Sequence, residues 1–549
     1  MNGERAKLTP MGGRLVIPDP SRRRFIAGAA ATVLGVAAGC SDDGGGGTAS
    51  GTGPSTTSGA GAGTTRPAVR LAGDPFGMGV ASGDPLADSV ILWTRLAPDP
   101  VALDGLGAMP DDPVDVAWDV AADDRFATLV TSGVFTAEPE HAHAVHVDVG
   151  GLDPATEYFY RFQVGEFTSP TGRTRTLPDG SPGRFGLAVA NCQWFEAGTY
   201  AAYRHMADED IDLVLHLGDY IYELPGNPGG EGRSTYPGNI LTTLTDYRLR
   251  YASYKTDADL RGAHARFPFA LTWDDHEVAN NYAGDTLPSG AAPEAVQELK
   301  AAAYQAWWEH LPTRLDPPDG PSLTVRRDFA VGDLARIYLL DERQNSDTPP
   351  CRGGGGEGGV GDFGDCAERT GVDRSLLGSE QEAWFADASS AGGVVWNVVG
   401  NPGCLAGIDG GGPDASAYYL DTWDGYPAAQ QRFIAQLAGI DNPVVLTGDY
   451  HQGMTLDVHE RPFDQSSALV APEFMAPPIS SILFGQDVSP RTPHLREQLN
   501  NHGYLTVDIE PERLTARFRV LADVSQADTS ISTASTWQVT PGDPNAQQV

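Results

Sequence analysis

Lysine is nearly missing from this chain: Lys7, Lys255 and Lys300 are the three among 549 residues. Chemistry that needs a lysine amine, as nucleophile or Schiff base, has at most two candidates beyond the N-terminal region. Positive charge is scarce altogether, with 37 Lys and Arg against 73 Asp and Glu and a formal charge of −36. That balance opposes the counterion release on which nucleic-acid binding depends, so no nucleic-acid-binding surface is expected. The apolar run from Ile26 to Gly39 is too short to cross a bilayer as a helix. No Gly-x-Ser-x-Gly turn occurs, which argues against a serine esterase. Cysteine is sparse and odd in number, five, so disulfides cannot use every one.

What the N-terminus does contain is an address. Ser21-Arg22-Arg23-Arg24-Phe25 precedes an apolar run of signal length, an arrangement that resembles a twin-arginine export signal over residues 1–39. Ala37-Ala38-Gly39-Cys40 resembles a lipobox with Cys40 as the lipidated residue; ordinary cleavage nearby is the alternative. Residues 41–66 hold 19 Gly, Ser or Thr out of 26, and the stretch 40–69 reads as a flexible linker. Six basic and two acidic residues precede Cys40, so their removal takes the charge from −36 to −40. The expectation is an exported, extracellular or periplasmic protein, monomeric, handled by the twin-arginine machinery and touching a membrane only through a lipid anchor.

Two folded units follow. Over 70–178, short runs with turn signals between them (Ser89 to Thr94, Val114 to Val120, Ala144 to Val149, Glu157 to Val164) predict a β-sandwich of the fibronectin-III or immunoglobulin type. His141, His143 and His146 lie there; two of them would share a strand face, and partly exposed strand histidines are the simpler account of them. Over 183–525 the pattern becomes α/β: continuous apolar runs end in polar residues at Asn191-Cys192, Gly218-Asp219, Asp274-Asp275-His276, Asp341, Asn401 and Gly448-Asp449-Tyr450-His451. Helices are expected at Tyr200 to Asp208, Ala292 to His310 and Ser379 to Ala388. Polar residues beyond the carboxyl ends of such strands are where open sheets place a ligand site, although any single one could be a turn residue. Residues 526–549 read as a C-terminal tail.

Cys351 and Cys366 bracket 14 residues with eight glycines, a loop that a disulfide would restrain by about 3 kcal/mol, and they are expected to be bridged. Cys192 ends a buried strand, where it is either a neutral core thiol or a metal ligand. Cys404 carries no assignment.

Taken together, Asn191-Cys192-Gln193, Gly218-Asp219-Tyr220-Ile221-Tyr222-Glu223, Trp273-Asp274-Asp275-His276-Glu277-Val278, Leu340-Asp341-Glu342-Arg343-Gln344 and Thr447-Gly448-Asp449-Tyr450-His451 resemble the PhoD family of alkaline phosphatases within the metallophosphoesterase superfamily. The resemblance runs over nearly the whole chain beyond the linker. It implies a four-layer αββα catalytic domain preceded by the β-sandwich, and a centre of Fe(III) with Ca(II). By motif, Cys192, Asp219, Tyr222 and His451 would hold iron, with Tyr220 the rival of Tyr222, and Asp219 would bridge to calcium at Asp275 and Asp449. Calcium takes oxygen alone, whereas thiolate, phenolate and imidazole suit the transition metal. The chain departs from the pattern in Pro402-Gly403-Cys404 after Asn401, where the family usually has Gln, and in the less usual Glu342 and Tyr450.

The implied reaction is attack on phosphorus by metal-activated water on a small phosphate ester or phospholipid. His276 is the candidate proton donor or, instead, a group that orients a ligand. Arg343 is either a bidentate phosphate clamp or part of an ion pair. A phosphodiesterase or phospholipase D on the same fold is the nearest alternative activity. A non-catalytic cell-surface binding module is the alternative of another class.

Overall fold

The computed structural model describes residues 70–224, 233–351, 363–411 and 416–549. The signal, Cys40 and the linker to residue 69 lie outside them. Two mixed sheets dominate. The larger has ten strands, in the order Asp543–Gln548, Ile531–Thr540, Arg513–Leu521, Gly503–Glu510, Phe185–Ala190, Leu213–Leu217, Pro268–Thr272, Val80–Gly83, Ser89–Arg95 and Ala144–Gly150. The smaller has seven: Arg327–Val331, Ala335–Leu339, Trp396–Gly400, Pro443–Thr447, Leu469–Met475, Gly453–His459 and Leu495–Leu499.

The central strands are apolar throughout because neither face meets water. Leu187, Val189, Leu215 and Leu217 of the larger sheet pack on Ile337, Leu339, Val398, Val444 and Leu446 of the smaller. The outer face of the larger sheet buries Val214, Phe269 and Leu271 beneath the helices Ala201–Met206, Leu244–Tyr254, Ala258–Arg266 and Pro293–His310, with Trp307 and Tyr251 among the contributors. The outer face of the smaller sheet packs on Ser379–Ser390 and Pro427–Leu437 through Phe385, Phe433 and Leu437. The result is the expected four layers.

Residues 70–178 do form a sandwich, but one of its sheets is not its own. Val80–Gly83 runs parallel to Pro268–Thr272, so Val80–Gly83, Ser89–Arg95 and Ala144–Gly150 extend the ten-stranded sheet. A separate sheet containing Val114–Ala121, Leu129–Ala137 and Glu157–Val164 covers them, with Val90, Leu92, Val116, Tyr160 and Phe162 between. The tail expected at 526–549 is corrected too: Ile531–Thr540 and Asp543–Gln548 close one edge of the ten-stranded sheet. Trp537, Val539 and Ala546 are buried there, and this alternation, diluted by polar residues, is a weak signal in sequence. The histidines of the sandwich are packing groups. His146 stacks on Trp308 at 4.3 Å and bonds Leu311 O, while His141 and His143 precede the strand that starts at Ala144.

Register brings the polar strand ends together. His216 pairs with Ala190 and Leu217 with Thr272, so Cys192, Asp219 and Asp274 emerge side by side. Across the sandwich, Gly400 pairs with Leu446, just before Gly448-Asp449.

Candidate metal centre

Four side chains here sit on backbones in the left-handed region that non-glycine residues avoid: Cys192 (φ 50°), Asp219 (φ 56°), Asp449 (φ 64°) and His451 (φ 54°). Such strain persists only where surrounding structure enforces it, and it clusters at functional sites. The turns also need close approach. A side chain at Gly218 (φ 104°) would put its Cβ 2.5 Å from Asp274 N, and one at Gly448 would sit 2.8 Å from Asn191 Cγ.

At one end, Cys192, Asp219 and His451 bring ligand atoms within 4.8 Å of one another. Tyr222 joins them: its hydroxyl donates to Asp219 Oδ2 at 2.8 Å and lies 3.1 Å from His451 Nε2. His451 Nδ1 donates to Ile482 O at 2.7 Å, which leaves Nε2 as the free lone pair. Ser481 Oγ, 2.7 Å from both Cys192 O and Tyr222 Oη, ties the loops together. Tyr220 is elsewhere, its hydroxyl 2.8 Å from His264 Nε2, so the geometry favours Tyr222 over its rival.

At the other end Asp274, Asp275 and Asp449 converge, and Asp219, Asp275 and His276 form a third group between the two. Arg343, fully buried, gives Nε to Asp274 and Nη1 to Asp421. Nε and Nη1 are thus engaged with carboxylates, while Nη2 is buried without a hydrogen-bond partner. Glu277, also buried, accepts from the backbone N–H groups of Asp219 (3.1 Å), Tyr220 (2.6 Å) and Asp274 (2.9 Å), and so fixes two ligand loops at once.

The donor atoms fit cations. Asp219 Oδ1, Asp274 Oδ2, Asp421 Oδ1 and Asp449 Oδ2 are buried without a hydrogen-bond partner, a cost that a bound ion would relieve. Electrostatics agree. Burial, helped by Asp219, pushes the Cys192 thiol and the Tyr222 phenol up; burial lifts Asp449 and raises Asp274 to about 8 despite Arg343. Burial works against Asp219 ionising as well, yet His276 and His451 outweigh it and hold its carboxyl low. A site of reluctant acids is what remains when a group that needs them ionised is left out of the balance.

A family model described as PhoD-like phosphatase matches residues 187–518, and one described as PhoD-like phosphatase, N-terminal domain, matches 62–178. Alkaline phosphatase D of Bacillus subtilis (strain 168) is 40% identical over 481 residues, 84% of this chain and 80% of that protein. The chain belongs to the PhoD-like phosphatase family. A solved structure of PhoD superposes with a TM-score of 0.82 at 39% identity, covering 88% of this chain and 93% of the other. The protein is thus a phosphate ester hydrolase, and the reading as a non-catalytic binding module falls away.

Within this PhoD-like phosphatase the remaining expectations sort themselves physically. His276 Nδ1 donates to Glu223 Oε2 at 2.7 Å, and Glu223 Oε1 takes Asn280 N at 2.8 Å. Burial alone would lower the His276 pKa, but Asp275, Glu223 and Asp219 outweigh it and raise it. Asp341 and Asn401 prove to be turn residues, bonded to Trp273 Nε1 and Trp423 Nε1 respectively. The unusual Glu342 points inward to Gly403 N and so tethers the divergent 401–404 loop. Cys404 is a neutral core thiol, packed in one apolar cluster with Leu405, Ala406 and Tyr450. Cys351 and Cys366 are bridged.

Sequence reasoning missed Asp274, Asp421, Glu223, Glu277 and Ser481. Asp274 and Glu277 stood inside a quoted motif and went unassigned. Asp421 comes from irregular chain with no strand pattern to announce it, and Ser481 is known only by what it touches.

Proposed function

We propose that this phosphatase is an exported metallohydrolase in which Cys192, Asp219, Tyr222 and His451 would hold Fe(III) while Asp275 and Asp449, joined by Asp274, would hold Ca(II), with Asp219 common to the neighbouring groups. The observation that supports this most directly is the segregation of donors: thiol, phenol and imidazole meet at one end, carboxylates alone at the other. When bound, such ions lower the pKa of water and offset charge on phosphoryl oxygens.

The chain's own residues do the rest. Glu223 fixes His276 with Nδ1 engaged, so Nε2 is the nitrogen that hands a proton to the departing alcohol oxygen. Arg343 offsets the mutual repulsion of Asp274 and Asp421. Among the described residues, the serine at the centre and the two lysines are engaged elsewhere: Ser481 is buried and bonded to Tyr222, Lys300 pairs with Asp285, and Lys255 is buried against Trp93. Water therefore attacks phosphorus directly, in one displacement. His276→Ala should cost alkyl esters at least tenfold more kcat/KM than p-nitrophenyl phosphate, because only the former need a proton to leave; equal losses would make His276 a purely structural group.

Export by the twin-arginine route with Cys40 lipidated belongs to the same proposal; the Cys351–Cys366 bridge suits an oxidising compartment. Among the described residues no helix is long and apolar enough to cross a membrane. The deciding experiment is a hydrolysis screen of monoesters, diesters and phospholipids with metal analysis of the same sample, followed by a chiral phosphate substrate. Iron, calcium and inversion at phosphorus are expected. Net retention would show a covalent intermediate and overturn the mechanism.

A further inference from the structure

Among the described residues of the site, some reach solvent and others do not. His276 (9% exposed), Asp449 (8%) and His451 (7%) meet it, whereas Cys192, Asp219 and Asp274 are at 1%. The rim beside His451 is apolar. Phe484, 51% exposed, stacks on the His451 ring at 4.7 Å and meets Tyr450 edge-on at 5.8 Å; Ile482, two residues earlier, is 46% exposed. Single exposed apolar side chains need no explanation. These two stand on a segment strapped to the centre, because Ile482 O accepts from His451 Nδ1 and Ser481 bridges Cys192 O and Tyr222 Oη, while Trp194 N donates to Ser481 Oγ. Their exposure is imposed by the same bonds that position the ligands.

We propose that Phe484 and Ile482 form a shelf that receives the alcohol portion of the ester, so that the enzyme prefers phosphate esters of apolar alkyl or aryl alcohols to those of polyols. This rests on the reading of the centre as the place where the phosphoryl group binds. With phosphorus at the buried ligands, the alcohol must lie toward the residues that reach solvent, across His451, and the surface offered there is a ring face and a branched alkyl chain.

The test uses the full-length, metal-loaded enzyme and soluble ethyl, butyl and hexyl phosphates, with the methyl alkyl diesters in parallel and glycerol phosphate as the polyol. Their alcohols leave with similar basicity, so chain length isolates the apolar contact. Complete burial of a methylene favours binding about fourfold, and one-sided contact about twofold, so kcat/KM should rise about twofold per methylene. Phe484→Ser and Ile482→Ser should flatten that slope, and Phe484→Leu should keep most of it. Because the slope is read within each variant, a general loss of activity cancels, and iron content with thermal unfolding checks that each is assembled. A slope of zero in the unmutated enzyme, or one that survives both serine variants, overturns the proposal. So does an intact slope with weakened binding to phospholipid vesicles, which would make the rim a membrane contact. Failure to hydrolyse any ester of either series would sink the reading of the centre itself.

Discussion

At the Cys192 end of the centre the donors are a thiol, a phenol, an imidazole and one carboxylate; at the Asp274 end they are carboxylates with a guanidinium lodged among them. In the first set, Ser481 and the Ile482 carbonyl, both neutral, hold Tyr222 and His451, and Asp219 is the one charged donor. The second is held by Arg343, so its geometry is a charge balance that a cation completes. The difference suggests that the first end selects its ion by donor chemistry, and the second by charge alone.

The largest effect should come from the first end. Cys192→Ala removes the one soft ligand, and iron should fall below detection in metal analysis, with kcat/KM reduced about a thousandfold or more. Iron retained at full occupancy would mean that Cys192 is core packing and that the contrast between the ends is false. At the second end, Arg343→Met leaves Asp274, Asp275 and Asp421 without their cation and should destabilise the protein by about 3–5 kcal/mol. Added calcium should recover part of that stability in denaturant titrations, more than in the unmutated protein. No difference in calcium response would remove the guanidinium from the balance.

A smaller effect tests the same idea through protons. Burial raises the Asp274 carboxyl to about 8 and lifts Asp449 as well. These carboxyls therefore hold more protons in the folded metal-free protein than in the unfolded chain from the ordinary carboxylate range up to about pH 8, and their contribution to its stability should fall as pH rises through that window. Calcium, which favours the ionised carboxylates, should flatten the decline. A gain of stability on adding calcium that does not grow with pH across the window would contradict it.

Much of this contrast was legible beforehand, and what was not had a physical reason. Apolar runs such as Phe185–Ala190 and Leu213–Leu217 announce buried strands, and residues just past them, Cys192 and Asp219, follow from the topology of parallel strands. The family motif favours Tyr222 over Tyr220, and the turn after Asp219 brings the Tyr222 hydroxyl to Asp219 while that of Tyr220 meets His264. Arg343 could be read as a clamp or as half of an ion pair because nothing in its neighbouring sequence shows Asp421, which approaches from residues 78 positions later. The shared sheet between the sandwich and the catalytic unit was hidden for the same reason, since the pairing of Val80–Gly83 with Pro268–Thr272 spans far more chain than any local pattern.

The central claim is that a phenolate at one end of the centre holds iron, and visible absorption of two tyrosine variants tests it most directly. Fe(III) bound by a phenolate absorbs visible light, calcium does not, and Tyr222 alone of the two tyrosines reaches Asp219 and His451. Tyr222→Phe should abolish the band while Tyr220→Phe leaves it within about a tenth of its intensity, at equal iron content. A band that survives in Tyr222→Phe with iron still bound would contradict the assignment.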